Sequence, residues 1–155
     1  MAEDGPTIRF GASWQDFRSP ETGLNLRGEL ILPKPAALKD AFAEVFVPAP
    51  LIGLSAHLGR GTSFLYASAL WTVPLSERLF LEFSVGGAVG NTVSSPEPGR
   101  AAMGCHGSFR EEAGLGWKLD PSWSVVATVE HYSNAGLCNA NRGLTNVGLL
   151  LGRSF

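Results

Sequence analysis

The segment His131-Tyr132-Ser133-Asn134 combines a base and a nucleophile at a spacing that permits chemistry. Residues two apart in a β-strand point to the same face, so a strand that ends here places His131 beside Ser133. A histidine that takes the proton of a serine hydroxyl enables that oxygen to attack an ester carbonyl. The same residues also fit a strand that simply ends in a turn, because serine and asparagine are turn formers. On local pattern alone, the turn is the favoured interpretation.

The composition favours a β-barrel with an apolar exterior. Of the 155 residues, 45% are hydrophobic and 17% are charged, and 19 are glycine. No apolar run reaches the roughly 18 residues that a membrane helix needs, and an apolar, glycine-rich chain without such a run fits a barrel that faces lipid. The length predicts a single domain over residues 1–155. The net charge of -2 gives no support to nucleic-acid binding.

Alternation of apolar and polar residues predicts eight strands, because successive strand residues face opposite sides of a sheet. The predicted strands are Ile8–Trp14, Leu24–Leu30, Leu51–Leu58, Leu65–Val73, Leu79–Gly86, Phe109–Leu119, Val125–Ser133 and Leu144–Phe155. The segment Pro33–Pro50 breaks the pattern with four prolines and is predicted to be a connector. A short amphipathic helix over Ala36–Phe46 would suit a membrane surface.

The two faces of these strands select a membrane barrel over a soluble one. One face is apolar, and the other mixes glycine with charges of both signs: Arg9, Arg27, Glu29, His57, Glu82, Arg110, Glu112, Lys118 and Glu130. A soluble ligand-binding barrel would put its charges outside, whereas small residues and ion pairs fill a narrow eight-stranded interior. The prediction is therefore an all-β, eight-stranded antiparallel transmembrane β-barrel in the bacterial outer membrane. Closure also removes the sheet edges that lipid does not tolerate.

The polar pair is predicted to lie at the outer-leaflet end of this barrel. The chain starts without the basic region and apolar core of a signal peptide, so we expect it to represent the mature form. With the N-terminus in the periplasm, the loops at 91–102 and 134–143 fall outside the cell. His131 and Ser133 then continue a lipid-facing stripe, where polar side chains are costly unless they lie near the interface or serve a function.

The two cysteines are predicted to fall at the same end of the barrel. Cys105 and Cys138 both adjoin turn-like residues, and their spacing is not that of a metal-binding motif. In an oxidising compartment, a disulfide between the two loops is the expected use. Two free thiols are the alternative.

A register argument adds a carboxylate to the pair. The sixth and seventh predicted strands form a hairpin. Matching their apolar faces puts His131 opposite Glu111 or, one step along, opposite Phe109. A carboxylate there would orient the imidazole and stabilise it once protonated, and a glutamate at the membrane interface is an equally good interpretation of Glu111. Thr145 is predicted opposite Ser133 across the last loop, and it supplies no charge.

One family shares these motifs. The segment His131-Tyr132-Ser133-Asn134-Ala135-Gly136, then Asn141-Arg142-Gly143 and a last strand ending in Phe155, resembles the PagL family of lipid A 3-O-deacylases. A weaker match extends back through Leu79-Phe80-Leu81-Glu82, Gly104-Cys105 and Phe109-Arg110-Glu111. The resemblance implies an outer-membrane serine esterase that removes an ester-linked acyl chain from lipid A. Its partners would be lipopolysaccharide and membrane lipid, without cofactor, metal or nucleic acid, and a homodimer is left open.

The resemblance also assigns roles. His131 matches the general base, Ser133 the nucleophile and Asn134 the oxyanion-hole residue, with a backbone N–H near Gly136 assisting. The family's catalytic glutamate falls at Thr145, so this chain departs from the pattern there, and Glu111 is the predicted substitute. The alternative function is a non-enzymatic barrel of the OmpA or OmpX type, for structure or adhesion, in which the His–Ser pair is dispensable.

Overall fold

The computed structural model describes residues 5–34 and 41–155, which form a closed antiparallel β-barrel. Each strand pairs with the next along the chain, and the last pairs with the first. This confirms the predicted fold class. The elements are β1 Thr7–Gln15, β2 Gly23–Ile31, α1 Ala41–Phe46, β3 Ala49–His57, β4 Phe64–Pro74, β5 Leu79–Gly90, β6 Gly107–Lys118, β7 Trp123–Ser133 and β8 Leu144–Ser154.

The element boundaries differ from the predicted ones where glycine or proline obscures the pattern. Strand β5 continues past Gly86 to Gly90, because Gly87 and Val89 still pair with β6. Strand β3 begins at Ala49, so it includes Pro50. Among the described residues the helix spans Ala41–Phe46, and the predicted part at 36–40 lies outside them. No helix among the described residues is long and apolar enough to cross a membrane.

The outer surface of the barrel is apolar. Phe10 is 65% exposed, Leu65 62% and Val89 60%, although each is a large hydrophobic side chain. Such a surface is unfavourable in water and is the expected one against lipid. Exposed aromatic residues lie towards both ends, as membrane-interface residues do: Trp14, Phe17, Trp117, Trp123 and Phe155.

The interior is filled by ion pairs. The Arg27 Nη2 atom lies 2.6 Å from a carboxylate oxygen of Glu29 and 2.6 Å from one of Glu112. The Arg110 Nη2 atom lies 2.9 Å from Glu112 and 3.0 Å from Glu130. All of these side chains are buried. A buried charge is tolerated only when it is paired, so each arginine needs its carboxylates.

Aromatic rings complete this interior network. The Arg110 guanidinium lies 4.0 Å from the ring centroid of Tyr66, and the Tyr132 ring stacks on Phe64 at 3.9 Å. The charged faces predicted from the sequence are thus inside the barrel, with exceptions at its ends. His57 is half-buried at one end of β3, and Lys118 is exposed at the end of β6.

We call the end of the barrel that carries residues 16–22, 58–63, 91–106 and 134–143 the loop end. The buried Glu21 carboxylate holds several of these segments together there. It accepts hydrogen bonds from the backbone N–H groups of Thr62 at 3.1 Å and Ala101 at 3.0 Å, and it pairs with Arg100 Nε at 3.2 Å. The loop end is therefore an ordered cap rather than a set of independent loops.

Replacing Arg27 by methionine is expected to lower the free energy of unfolding by about 3–5 kcal/mol, because removing one partner leaves buried carboxylates uncompensated. Urea unfolding in lipid vesicles, followed by tryptophan fluorescence, measures this change. The control is Arg153→Met on the outer surface, where the guanidinium lies 5.5 Å from the Trp123 ring and 4.9 Å from the Phe155 ring. Its expected cost is about 1 kcal/mol or less, and equal losses in the two variants would contradict the prediction.

Candidate active site

The predicted base and nucleophile lie on the outer face of β7, at the loop end. The intervening Tyr132 and the preceding Glu130 are fully buried in the interior. Because strand residues alternate between faces, His131 and Ser133 point outward, and both are half-buried. The structure therefore brings the two side chains to one lipid-facing surface, as the sequence predicts.

The imidazole of His131 is held from β8. Its Nδ1 atom lies 2.9 Å from the Thr145 hydroxyl oxygen, and the two residues are directly opposite in the β7–β8 ladder. The prediction that Thr145 lies opposite Ser133 is wrong, because the partner of Thr145 is His131, two residues earlier on the same face of β7. The ladder begins at the pair Tyr132 and Leu144, because residues 134–143 leave it to form a separately held loop.

The opposite edge of the imidazole faces the loop end. A Cβ atom added to Gly143 would lie 3.1 Å from His131 Cε1 and 3.5 Å from Nε2. Gly143 has φ +63°, which glycine adopts without strain. It lies one step beyond the last pair of the ladder, across from Ser133, so Nε2 is on the side of the nucleophile. The described residues include no hydrogen bond between the His131 and Ser133 side chains, and such contacts often form only with substrate.

Glu111 lies on the other flank of His131. The β6–β7 register pairs Glu111 with His131 and Phe109 with Ser133, which confirms the first of the two predicted registers. Facing residues on one side of a sheet have Cβ atoms about 4.5–5.5 Å apart. The Glu111 side chain is exposed and makes no ion pair with His131 in the described part of the chain.

Asn134 turns inward and organises the loop that follows the site. It is buried, and its Nδ2 group donates to the carbonyl oxygens of Met103 at 2.5 Å and Ala140 at 2.7 Å. Its Oδ1 atom accepts the Gly136 N–H at 2.9 Å. The two donors predicted for an oxyanion hole are therefore already bonded within the protein.

Asn141, the first residue of the segment Asn141-Arg142-Gly143, is a site neighbour that the sequence did not predict. Its Oδ1 atom accepts the backbone N–H of Asn134 at 3.0 Å. The Asn141 side chain is exposed, and its Nδ2 group has no partner among the described residues. A side-chain amide has two such donors, so Asn141 keeps hydrogen-bonding capacity beside the site.

A disulfide joins the two loops next to the site. Cys105 and Cys138 are bonded, with Cα atoms 6.0 Å apart, which confirms the predicted pairing. The loops also touch closely, because a Cβ atom at Gly104 would lie 2.1 Å from the Ala140 carbonyl oxygen. Gly104 has φ +88°, so both its backbone conformation and its surroundings require glycine. The loop after Ser133 is thus held by a covalent bond and by Asn134.

Asp16 and Arg142 join the β1–β2 loop to β8 and to the loop before it. The Asp16 carboxylate accepts the backbone N–H of Thr145 at 3.2 Å, and Arg142 Nη2 donates to the carbonyl oxygen of Arg18 at 3.0 Å. Within residues 5–34 and 41–155, no group of three or more His, Cys, Asp or Glu side chains is placed to hold a metal ion.

A family model described as PagL, lipid A 3-O-deacylase, matches residues 42–154. The chain belongs to the PagL family. The match begins far upstream of the His–Ser motif, so the family pattern runs from α1 through the last strand. Family membership makes this a bacterial outer-membrane barrel of the lipid A deacylase type, and it confirms the resemblance found in the sequence.

Solved structures agree on the fold of this PagL family member. The crystal structure of the outer membrane enzyme PagL has a TM-score of 0.71 at 18% identity, covering 96% of this chain and 99% of that chain. Neisserial surface protein A has a TM-score of 0.67 at 9% identity, with 97% of each chain covered. The N-terminal barrel domain of Pseudomonas aeruginosa OprF has a TM-score of 0.63 at 11% identity, covering 98% of this chain and 99% of that chain. No curated protein sequence matches the chain significantly.

An apolar groove of about 580 Å³ lies on the outer surface beside the site of this PagL family member. Its walls include Leu65, Val89, Phe109 and Leu137, and the Cys105–Cys138 disulfide lies at one end. Phe109 is the residue opposite Ser133 in the β6–β7 ladder. The groove therefore reaches two neighbours of the candidate nucleophile, Phe109 and Asn134, whereas Ser133 and His131 do not line it.

Replacing Asn134 by alanine is expected to loosen residues 134–143 without unfolding the barrel, because the carbonyl groups of Met103 and Ala140 lose their donor. Hydrogen exchange in detergent micelles should show faster exchange in that segment only. The matched control is Asn139→Ala, since Asn139 is exposed in the same loop and no hydrogen bond of its side chain is among those described. Unchanged exchange in Asn134→Ala would contradict the structural role.

Proposed function

We propose that this protein is an outer-membrane serine esterase that hydrolyses an ester-linked acyl chain of lipid A, by 3-O-deacylation, at His131 and Ser133. The carrying observation is the position of the pair: both side chains lie on the lipid-facing surface, next to an apolar groove. A site that opens to lipid suits a substrate that is itself a membrane lipid. Membership of a lipid A deacylase family supports the substrate class.

The proposed reaction uses Ser133 as the nucleophile. Its hydroxyl oxygen attacks the ester carbonyl carbon as His131 Nε2 takes the hydroxyl proton. When the tetrahedral intermediate collapses, the C–O bond to the sugar breaks and His131 returns the proton to the leaving oxygen. Water then repeats the sequence on the acyl-serine, which releases a fatty acid and restores the hydroxyl. All of these groups come from one chain, so a homodimer is not required.

The intermediate's negative oxygen needs hydrogen-bond donors that are already in place. The segment from Asn134 to Gly136 remains our proposed location for them, because it follows the nucleophile directly. Both predicted donors are bonded within the protein, so their use requires the loop to rearrange when substrate binds. Asn141 Nδ2 is a second candidate, because Asn141 anchors the same segment through its oxygen alone.

The groove is the proposed place for the acyl chain that is cut. Its lining is almost entirely apolar, and it adjoins Ser133 through Phe109. An acyl chain lying there would enter from the outer leaflet without crossing water, with its ester at the end of the groove formed by Phe109 and Asn134. This arrangement distinguishes the enzyme proposal from a structural or adhesion barrel, for which neither the groove nor the His–Ser pair is needed.

Ser133→Ala is expected to abolish acyl release from purified lipopolysaccharide, because no other group in the proposal forms the acyl-enzyme. The refolded protein is incubated with lipopolysaccharide, and mass spectrometry detects the loss of one hydroxyacyl group. The control is Ser124→Ala, which alters a serine on the same strand at the opposite end. Release by the Ser133 variant would exclude this nucleophile. No release by the native protein would favour the non-enzymatic barrel.

Glu111→Gln is expected to reduce kcat on the order of tenfold, because the proposal gives Glu111 the task of stabilising the imidazolium across the β6–β7 ladder. The measurement is the initial rate of acyl release at saturating substrate. Glu77→Gln serves as control, since Glu77 is exposed in the turn at the other end of the barrel. An unchanged rate in Glu111→Gln would remove Glu111 from the mechanism.

A further inference from the structure

The loop between β1 and β2 is joined to the residue that holds the imidazole. The Asp16 backbone N–H donates to the Thr145 carbonyl oxygen at 2.9 Å, and the Thr145 N–H donates to Asp16 Oδ2 at 3.2 Å. Asp16 follows directly on the β1–β8 ladder, whose last pair is Gln15 and Asn146. Thr145 is thus bonded to Asp16 through its backbone and to His131 through its hydroxyl.

Asp16 holds this position in an unusual backbone conformation. Its φ is +26°, and among the described non-glycine residues only Ala135 also has a positive φ. Most side chains resist this region, whereas aspartate and asparagine tolerate it. Asp16 as a residue is only 9% exposed, and its Oδ1 atom accepts the Arg18 N–H at 2.9 Å. The surrounding loop therefore keeps a carboxylate buried against Thr145.

Thr145 alone does not determine how the imidazole is protonated. A hydroxyl both donates and accepts, so its 2.9 Å contact is compatible with a proton on Nδ1 or on Nε2. A general base needs the proton on Nδ1, which leaves Nε2 free to accept from the serine. A nearby negative charge favours that arrangement and the imidazolium that follows, and burial keeps the charge from being screened.

We propose that Asp16 is a positioning residue for the deacylation reaction: it fixes Thr145 against His131 and supplies the negative charge that the threonine lacks. The inference rests on the proposed function of the His131–Ser133 pair. In this arrangement, the carboxylate that orients the base comes from the β1–β2 loop and acts through β8. It does not contact the substrate. Glu111 on β6 acts on the same imidazole from the opposite flank.

The decisive variant is Asp16→Asn. An asparagine tolerates positive φ and keeps one oxygen for the Thr145 N–H, so the variant removes the charge and preserves that contact. The Arg18 N–H loses its acceptor, because an amide carries one oxygen in place of two. We expect kcat for acyl release to fall on the order of tenfold with KM unchanged, since substrate binding is untouched. In the Thr145→Val background the same substitution is expected to have a smaller effect, because the hydroxyl contact with His131 is already lost and only the charge of Asp16 remains to act on the imidazole.

A second readout does not depend on activity. In detergent-solubilised protein labelled with ¹⁵N-histidine, the ring signals of His131 are assigned by their absence in His131→Gln. The native protein is expected to carry the proton of the neutral ring on Nδ1, and Asp16→Asn to move it towards Nε2. The matched control is Asp120→Asn, because the Asp120 carboxylate accepts two backbone N–H groups in a turn at the other end of the barrel.

These readouts separate the two proposals. A changed His131 ring signal without Ser133-dependent acyl release would keep the positioning role and reject the esterase. Acyl release with an unchanged ring signal and an unchanged kcat in Asp16→Asn would keep the esterase and overturn the positioning role. Equal changes in Asp16→Asn and Asp120→Asn would also overturn it, because the effect would then not depend on proximity to Thr145.

Discussion

The buried ion pairs of the barrel interior are the interaction on which the rest of the structure depends. Arg27 and Arg110 lie between Glu29, Glu112 and Glu130, with contacts of 2.6–3.0 Å to one or more of these carboxylates. A shift of any strand by one residue would turn these charges towards lipid and the apolar residues inward, at a prohibitive cost. The interior charges therefore set which face of every strand meets the membrane, and with it the outward direction of His131.

The candidate site lies at the loop end, on the outward-facing side of β6, β7 and β8. At the loop end, neighbouring strands present Thr145, His131 and Glu111 in one row across the lipid-facing surface. The polar row is confined to the end of the apolar stripe, where interface water is close and the cost of polar groups falls. The Cys105–Cys138 disulfide and the Asn134 contacts then hold the loop that follows Ser133. The loop that follows Ser133 is therefore part of the ordered cap at the loop end.

Alternation along the chain was enough to predict the strands, the closed barrel and the charged interior, because each strand's two faces differ so strongly. It was not enough to predict the end of β5, where Gly87 and Ala88 weaken the pattern but still pair with β6. The same limit applies to Thr145. Moving a strand by two residues leaves every side chain on its face, so the pattern does not distinguish Ser133 from His131 as its partner.

The sequence by itself determined the fold class and the lipid-facing position of His131 and Ser133, and it favoured a disulfide between Cys105 and Cys138. The first two follow from the periodicity of each strand, and the disulfide follows from the turn-like residues beside two cysteines that lie 33 residues apart. Only the tertiary structure decided that Thr145 holds the imidazole and that Asp16, far away in the chain, holds Thr145. For Asp16 the physical reason is barrel closure: β1 meets β8 only when the sheet curls onto itself, and no local pattern records which residues then become neighbours. For Thr145 the reason is that a shift of two residues in the β7–β8 pair leaves every side chain on its face.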